Sequence, residues 1–288
     1  MNIAIQGTRG SFHHIAATTF FGNDITLNEC MSFSEMPELI TKNVTDAAIM
    51  AIENSIGGAL LRNYQLIDFH NLTICGEIYL PMIHNFIALK GQNINDIKEV
   101  WSHPIAIQHC QKFLKNYPHI KIVEEKDTAS VAKTIKDQNL NGVAAIASKK
   151  AAEIYDLEII EAEIQTDLLN LTRYFVLKKQ RQHHPEDYLN NKASLKFVTK
   201  HKMGSLAEVL MICANHNLNL SKIQSIPLVK KEWNYALFID LTFDDYHQYC
   251  QALLSIEKKV NELKILGEYP QNKPDFDPID SKQTAKTS

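Results

Sequence analysis

Six consecutive apolar residues, Ala47-Ala48-Ile49-Met50-Ala51-Ile52, end abruptly on Glu53-Asn54-Ser55. An uninterrupted run of this length, too short for a helix, reads as a strand buried on both faces. Residues 3–6 repeat the pattern and stop at Gly7-Thr8-Arg9-Gly10, after which residues 12–21 carry helical spacing. Strand, glycine turn and helix open an α/β unit. The same grammar recurs downstream. A strand at 100–102 precedes His103-Pro104 and a helix over 105–114, a strand at 120–123 precedes a helix over 129–137, and a strand at 142–147 precedes a short helix over 149–155. Two short apolar segments flank Pro81 within 78–89. Such alternation predicts an α/β fold that holds ligands at the carboxyl ends of its strands.

Residues 177–191 break the pattern. Lys178-Lys179-Gln180-Arg181-Gln182-His183-His184-Pro185-Glu186-Asp187 is charged and carries a proline, as linkers do. The His183-His184 pair has no carboxylate or cysteine at ligand spacing, so it reads as linker and not as metal site. Beyond it the order changes to strand (193–199), helix (205–214), extended segment (218–228), strand (235–241), helix (246–260) and short strand (263–266). That βαββαβ order is the ferredoxin-like split unit. Ser205-Leu206-Ala207-Glu208 reads as a capping box opening the first of these helices after Gly204. The polar, proline-bearing tail from Pro270 is expected to be disordered.

Composition bounds the function. The chain has 288 residues, enough for about two domains. Its net charge of −3 excludes a bulk polycation held to nucleic acid. No stretch approaches the roughly 18 apolar residues of a membrane span. The start lacks a basic, long-apolar leader, and five widely spaced cysteines suit reduced thiols, so a cytoplasmic protein is expected.

Five polar clusters fall at strand ends: Arg9-Gly10-Ser11, Glu53 to Gly58, Ser102-His103-Pro104, Asp127-Thr128-Ala129 and Asn170-Leu171-Thr172-Arg173. Hydroxyls, amides and glycines dominate, a set suited to gripping a small polyanion through helix N–H groups, hydroxyls and an arginine. Singly, each has a plainer reading. Ser55 and Thr128 suit helix caps, Asn54 a turn, and His103 a loop histidine. Glu53, ending a buried run, needs a partner or a role.

Together, in this order and spacing, the clusters resemble prephenate dehydratases with a C-terminal ACT domain. The resemblance covers residues 1–268. The family's glycine turn with Gly-Thr-Phe-Ser and two alanines matches Gly7 to His13 with Ala16 and Ala17, and its Pro-Ile-Glu-Asn-Ser-x-x-Gly matches Ala51 to Gly58. Ser-His-Pro-Gln with a downstream cysteine matches Ser102 to Ile105 and Cys110, and Asp-Thr-Ala matches Asp127 to Ala129. The signature Asp-x-x-x-Asn-x-Thr-Arg-Phe matches Asp167, Asn170, Thr172, Arg173 and Tyr174. The regulatory motifs match Gly204-Ser205-Leu206 and the segment from Asn219 to Pro227. Three departures stand out: Ile105 replaces a glutamine, Gln224 and Ile226 replace the glutamate and arginine of the effector motif, and Thr8 and Ala51 replace prolines.

The resemblance implies a two-lobed, periplasmic-binding-protein-like (type II) α/β catalytic domain over 1–178, with lobe one at about 1–77 and 164–178 and lobe two at about 78–163. It further implies a linker over 179–192, a ferredoxin-like βαββαβ ACT domain over 193–268 and a tail over 269–288. The implied reaction is the decarboxylating dehydration of prephenate to phenylpyruvate, without cofactor or metal. Thr172 would donate toward the leaving hydroxyl, and Arg173 would pair with a substrate carboxylate or orient the threonine. Ser11, Glu53, Asn54, Ser55, Ser102, His103, Thr128 and Asn170 would bind substrate, with Thr172 facing Asn54 across the cleft. Gly204, Leu206, Asn219, Leu220, Gln224 and Ser225 would serve a phenylalanine effector. A homodimer or homotetramer, without nucleic-acid or membrane partners, is implied. Arogenate as substrate and a non-catalytic amino-acid sensor remain the alternatives.

Overall fold

A computed structural model describes residues 1–179, 189–228 and 235–272. The expected linker's centre, including His183 and His184, and the tail from residue 273 lie outside them. Among the described residues, no helix is long and apolar enough to cross a membrane.

The first sheet contains β1 (Asn2–Gln6), β2 (Thr26–Cys30), β3 (Ala47–Asn54), β5 (Leu72–Pro81) and β11 (Leu171–Lys179) in the order β2-β1-β3-β11-β5, with β4 (Gly58–Ala59) on the end of β3. β1 runs parallel to β2 and β3, while β11 is antiparallel to both its neighbours. The run at 47–52 is a central strand, as its apolar sequence requires. Ile49 and Ala51 pack with Phe12, Ala16 and Ala17 of α1 (Phe12–Phe21). Ala48, Met50 and Ile52 face the other way, against α2 (Glu35–Thr41) and α3 (Leu61–Phe69) through Met36, Ile40, Tyr64 and Ile67. The alternation of side chains along a strand supplies both halves of that core.

The chain passes to a second sheet at 82–84 and returns over 162–170. β5 keeps its pairing to Pro81, which carries lobe one a few residues beyond the expected boundary at 77. The second sheet has the order β10-β6-β9-β7-β8, formed by β6 (Asn85–Ala88), β7 (Glu99–Ser102), β8 (Lys121–Glu124), β9 (Val143–Ala147) and β10 (Glu158–Glu161). The helix expected over 105–114 is two, α4 (Pro104–His109) and α5 (Gln111–Leu114). The His109 carbonyl accepts a 2.7 Å bond from the Thr166 N–H, which draws it away from the helical ladder at the junction. α6 (Thr128–Asp137) and α7 (Lys149–Ile154) complete this lobe.

The third sheet, β13-β14-β12-β15, is fully antiparallel and has the expected βαββαβ order: β12 (Lys192–Thr199), α8 (Ser205–Asn215), β13 (Asn219–Pro227), β14 (Tyr235–Thr242), α9 (Tyr246–Glu257) and β15 (Val260–Tyr269). Two expectations need correction. The capping box does not form: Gly204 is the cap of α8, Ser205 lies inside the helix, and Glu208 pairs instead with Lys202 and Lys259. The chain just after the last strand is also held in place, where its composition suggested a loose tail, because Asn272 donates to the Glu77 side chain and carbonyl.

One face of the third sheet packs on α8 and α9. Its other face lies against lobe one, where Val198, Ile226, Phe238, Leu266 and Tyr269 share a core with Ile74, Tyr64 and Phe175. At Gly267 the approach is so close that a Cβ would fall 2.1 Å from the Ile74 carbonyl oxygen, so only glycine fits.

Candidate active site in the interlobe cleft

A cavity of about 260 Å³ opens between the first two sheets. Of the expected site residues, Ser11, Asn54, His103, Thr128 and Thr172 line it. Two ten-residue helices start at its wall. Ser11 caps α1 by accepting from His14 N at 3.3 Å, and Asp127 caps α6 by accepting from Ser130 N at 2.7 Å. The unpaired N–H groups and positive dipole ends of these helices favour anions. Lys126 adds a cation to the same wall.

The glycine turn after β1 joins the lobes here. Ser148 Oγ donates to the Gly10 carbonyl at 2.6 Å, Tyr155 donates to the Arg9 carbonyl at 2.8 Å, and Thr8 donates to Asp127 at 3.2 Å. Gly10 has φ of 90° and a Cβ there would stand 2.8 Å from Ala151 Cα, so both backbone conformation and space require glycine.

Thr172 and Asn54 are register partners on adjacent strands, not residues opposed across the cleft. Asn54 Oδ1 accepts the N–H groups of Ile56 and Gly57 at 3.0 and 2.7 Å, which turns Nδ2 toward Thr172 Oγ1 at 3.0 Å. The threonine oxygen therefore accepts, and its own proton is not spent on that bond. The Tyr174 phenol lines the cavity on the same side, and burial keeps it protonated.

Arg173 does not reach the cavity. Successive strand residues point to opposite faces, so with Thr172 turned inward, Arg173 turns into the seam with the C-terminal sheet. There it is 2% exposed and bonds Glu77 at 2.7 Å, Glu53 at 2.8 Å, Asp240 at 2.5 Å and Tyr269 at 3.2 Å. Lys192 joins Glu77 at 2.9 Å, and Lys222 joins Glu53. Three cations and three carboxylates thus compensate one another. Burial opposes the charge on Glu53, but Arg173 and Lys222 outweigh it and hold the carboxyl below its usual range. The carboxylates around Arg173 likewise overcome its burial and keep it charged. Glu53 and Arg173 therefore join the two domains and stand off the cavity wall, where a direct bond to a substrate was expected of Glu53 and either such a bond or orientation of Thr172 was expected of Arg173.

Three other expected ligands also stand off the cavity wall. Ser55 Oγ bridges the Leu169 carbonyl and Leu171 N–H, bracing the turn into β11. Ser102 is fully buried and donates to the Ile146 carbonyl at 2.7 Å, pinning the ends of β7 and β9. Asn170 sits behind Asn54, accepting from its amide at 2.6 Å.

With this geometry in place, similarity to known proteins decides the family. Residues 3–182 match the model of the prephenate dehydratase domain. An arogenate dehydratase/prephenate dehydratase of Arabidopsis thaliana is 35% identical over 280 residues, covering 94% of this chain and 73% of the relative. The chain belongs to the prephenate dehydratase family. A bifunctional chorismate mutase/prephenate dehydratase of Buchnera aphidicola is 34% identical, covering 94% of the chain and 71% of that protein. The crystal structure of the Arthrobacter aurescens prephenate dehydratase in complex with L-Phe superposes with a TM-score of 0.82 at 22% identity, covering 94% of this chain and 90% of that one, and so shares the fold across both domains.

This member of the prephenate dehydratase family surrounds its cleft with histidines that sequence reading passed over: His13, His84 and His109 line the cavity together with His103. Burial pushes His13 down to about 3, and burial with the neighbouring His109 does the same to His84. Burial also lowers His103 and His109, against the pull of nearby carboxylates. These four rings are therefore neutral near pH 7. The available signal was weak, since His13 sits on an apolar helix and His84 in a short, largely apolar connection, as core or loop histidines also do. Ile105, in place of the family's glutamine, lines the cavity with an apolar side chain.

Of the expected effector residues, Gly204 and Leu206 line a second concavity of about 570 Å³ at the start of α8. Ser205 lines it too, with a buried hydroxyl that has no hydrogen-bond partner. Asn219, Leu220, Gln224 and Ser225 lie on β13 and not on this wall, and the Gln224 amide donates to the Ser225 carbonyl.

Proposed function

We propose that the cleft converts prephenate to phenylpyruvate, with Thr172 as the group that assists departure of the ring hydroxyl. The observation carrying this is the Thr172 hydroxyl on the cavity wall, 3.0 Å from the Asn54 amide nitrogen and beside the Tyr174 phenol. Loss of the ring carboxylate as carbon dioxide sends its electron pair through the diene and expels hydroxide, which takes up a proton and leaves as water. Aromatisation drives the step, so the protein's part is to orient the dicarboxylate and stabilise charge at the leaving oxygen. The N–H ends of α1 and α6, with Ser11, Thr128 and Lys126, suit the two carboxylates. Phe12, Phe33, Ala51 and Met82 give the ring an apolar wall that limits water. A free threonine is a poor acid, so its role is hydrogen-bond donation to an oxygen that is gaining charge.

The C-terminal domain is read as an ACT module that brings two or four copies together. Support comes from Met211 and Leu254, exposed on α8 and α9. The concavity at Gly204 to Leu206, with its unpartnered Ser205 hydroxyl, suits the polar end of an amino acid such as phenylalanine, the ligand named for the Arthrobacter protein. The buried thiols of Cys30, Cys110 and Cys213 are in keeping with a cytoplasmic enzyme.

One experiment addresses these points. Purified protein is given prephenate or arogenate without added cofactor, with and without phenylalanine, and the aromatic product is followed by ultraviolet absorbance. The reading expects phenylpyruvate from prephenate and a changed rate when phenylalanine is present, and the two rates side by side give the preference between prephenate and arogenate. Absence of product from either substrate would remove the catalytic reading and leave the sensor.

A further inference from the structure

Behind the cavity, the orientation of one amide dictates that of every polar group after it. Asn54 Oδ1 is committed to the Ile56 and Gly57 N–H groups, so its Nδ2 must be what meets Asn170 Oδ1 at 2.6 Å. Asn170 then presents Nδ2 to His109 Nδ1, 2.9 Å away. An amide nitrogen can only donate, so His109 Nδ1 carries no proton, and the neutral ring holds its proton on Nε2. His84 Nε2 lies 3.4 Å from the same Nδ1 and fits it as a second donor. That leaves His84 Nδ1 bare, and this atom is buried without a hydrogen-bond partner. Two backbone N–H groups thereby set the tautomers of two rings in the cavity wall.

We propose that His109 is a positioning residue for the dehydration, its bare Nδ1 holding Asn170 so that Asn170 Oδ1 meets the Asn54 amide that faces the Thr172 hydroxyl. The proposal rests on the reading of the cleft as a dehydratase site. A proton on Nδ1 would face the Asn170 amide donor to donor. Asn170 would then turn over or withdraw and its Oδ1 would leave Asn54 Nδ2, so the amide beside Thr172 would lose that bond while keeping those to Ile56, Gly57 and the Leu171 carbonyl. Around the ring stand His84 beside it, Asp167 from the segment before β11, His13 across the cavity, and His103, Lys126 and Asp127 on the rim. Asp167 favours the charged ring, but burial outweighs it, which agrees with the neutral ring that the hydrogen bonds require.

Two readouts test this. Nitrogen-15 NMR of the full chain, with histidine labelled and the His109 signals assigned by their loss in His109→Gln, should show a neutral ring protonated on Nε2 at pH 7. This holds whether or not the protein turns over prephenate, so a failed assay and a failed tautomer are distinct results. In kinetics, glutamine can accept from Asn170 without titrating, so His109→Gln should keep kcat within about tenfold and lose the fall in kcat on the acid side. His109→Phe, which cannot accept, should lose on the order of 10²-fold in kcat with a much smaller change in KM. A proton found on Nδ1, an unchanged acid limb in His109→Gln, or a fully active His109→Phe would each overturn the proposal.

Discussion

Thr172 and Arg173 are neighbours in sequence with opposite fates. Thr172 lies on the cavity wall, whereas Arg173 is sealed into a seam of carboxylates. Thr172→Ala should therefore cost turnover and little else. The expected loss is about 10²–10³ in kcat, the usual cost of removing one donor to a developing oxyanion. Its unfolding free energy should change by no more than about 1 kcal/mol, the net worth of one hydrogen bond. Stopped assays and urea titration on the same preparation check both halves. Undiminished turnover in a stable Thr172→Ala protein would end the role given to this hydroxyl. At this scale the sequence showed which polar clusters mattered better than it showed what each member touches. Glu53 was rightly marked as a carboxylate needing a partner, but the partners, Arg173 and Lys222, come from 120 and 169 residues away.

Strand β11 explains why those fates diverge. A period of two puts Thr172 and Tyr174 on the cavity side and Arg173 on the domain seam. That parity was available in the sequence once 172–174 was read as strand, and it argues against a catalytic pair built from adjacent positions. The seam itself was not legible, because nothing in a single sequence says which face of lobe one the C-terminal sheet will cover. Likewise α2 and α3 escaped notice, the first short with Pro37 in its opening turn and the second with a mixed polar face, while the long apolar strands and the βαββαβ order were plain. Removing the cation at the centre of the seam should be felt in stability. Arg173→Ala leaves Glu77 and Asp240 buried with fewer partners, and such a loss typically costs about 3–5 kcal/mol. Equilibrium unfolding in urea should show it, and a stability equal to that of the unmodified chain would mean the ion cluster does not hold the domains together.

For the molecule as a whole, the buried histidines tie stability to pH. An unfolded histidine takes up a proton near pH 6.5. In the folded chain His13 and His84 resist protonation until about pH 3. Below pH 6.5 the unfolded state thus binds more protons than the native one, so stability falls as pH falls and is flat above about 7. The slope is up to roughly 1.4 kcal/mol per pH unit for each ring. Unfolding curves at pH 7, 6 and 5 should trace this, and His84→Gln should flatten it by about one proton. A stability that rose on acidification would contradict the burial of these rings.

The C-terminal sheet has one face against its own helices and the other against lobe one, and β13 is one of its two edge strands. That margin carries Lys222, whose ammonium grips Glu53, and the next residue along the chain is Asn54 in the cavity wall. The edge of this sheet is thus one ion pair and one peptide link away from the wall of its neighbour's cavity.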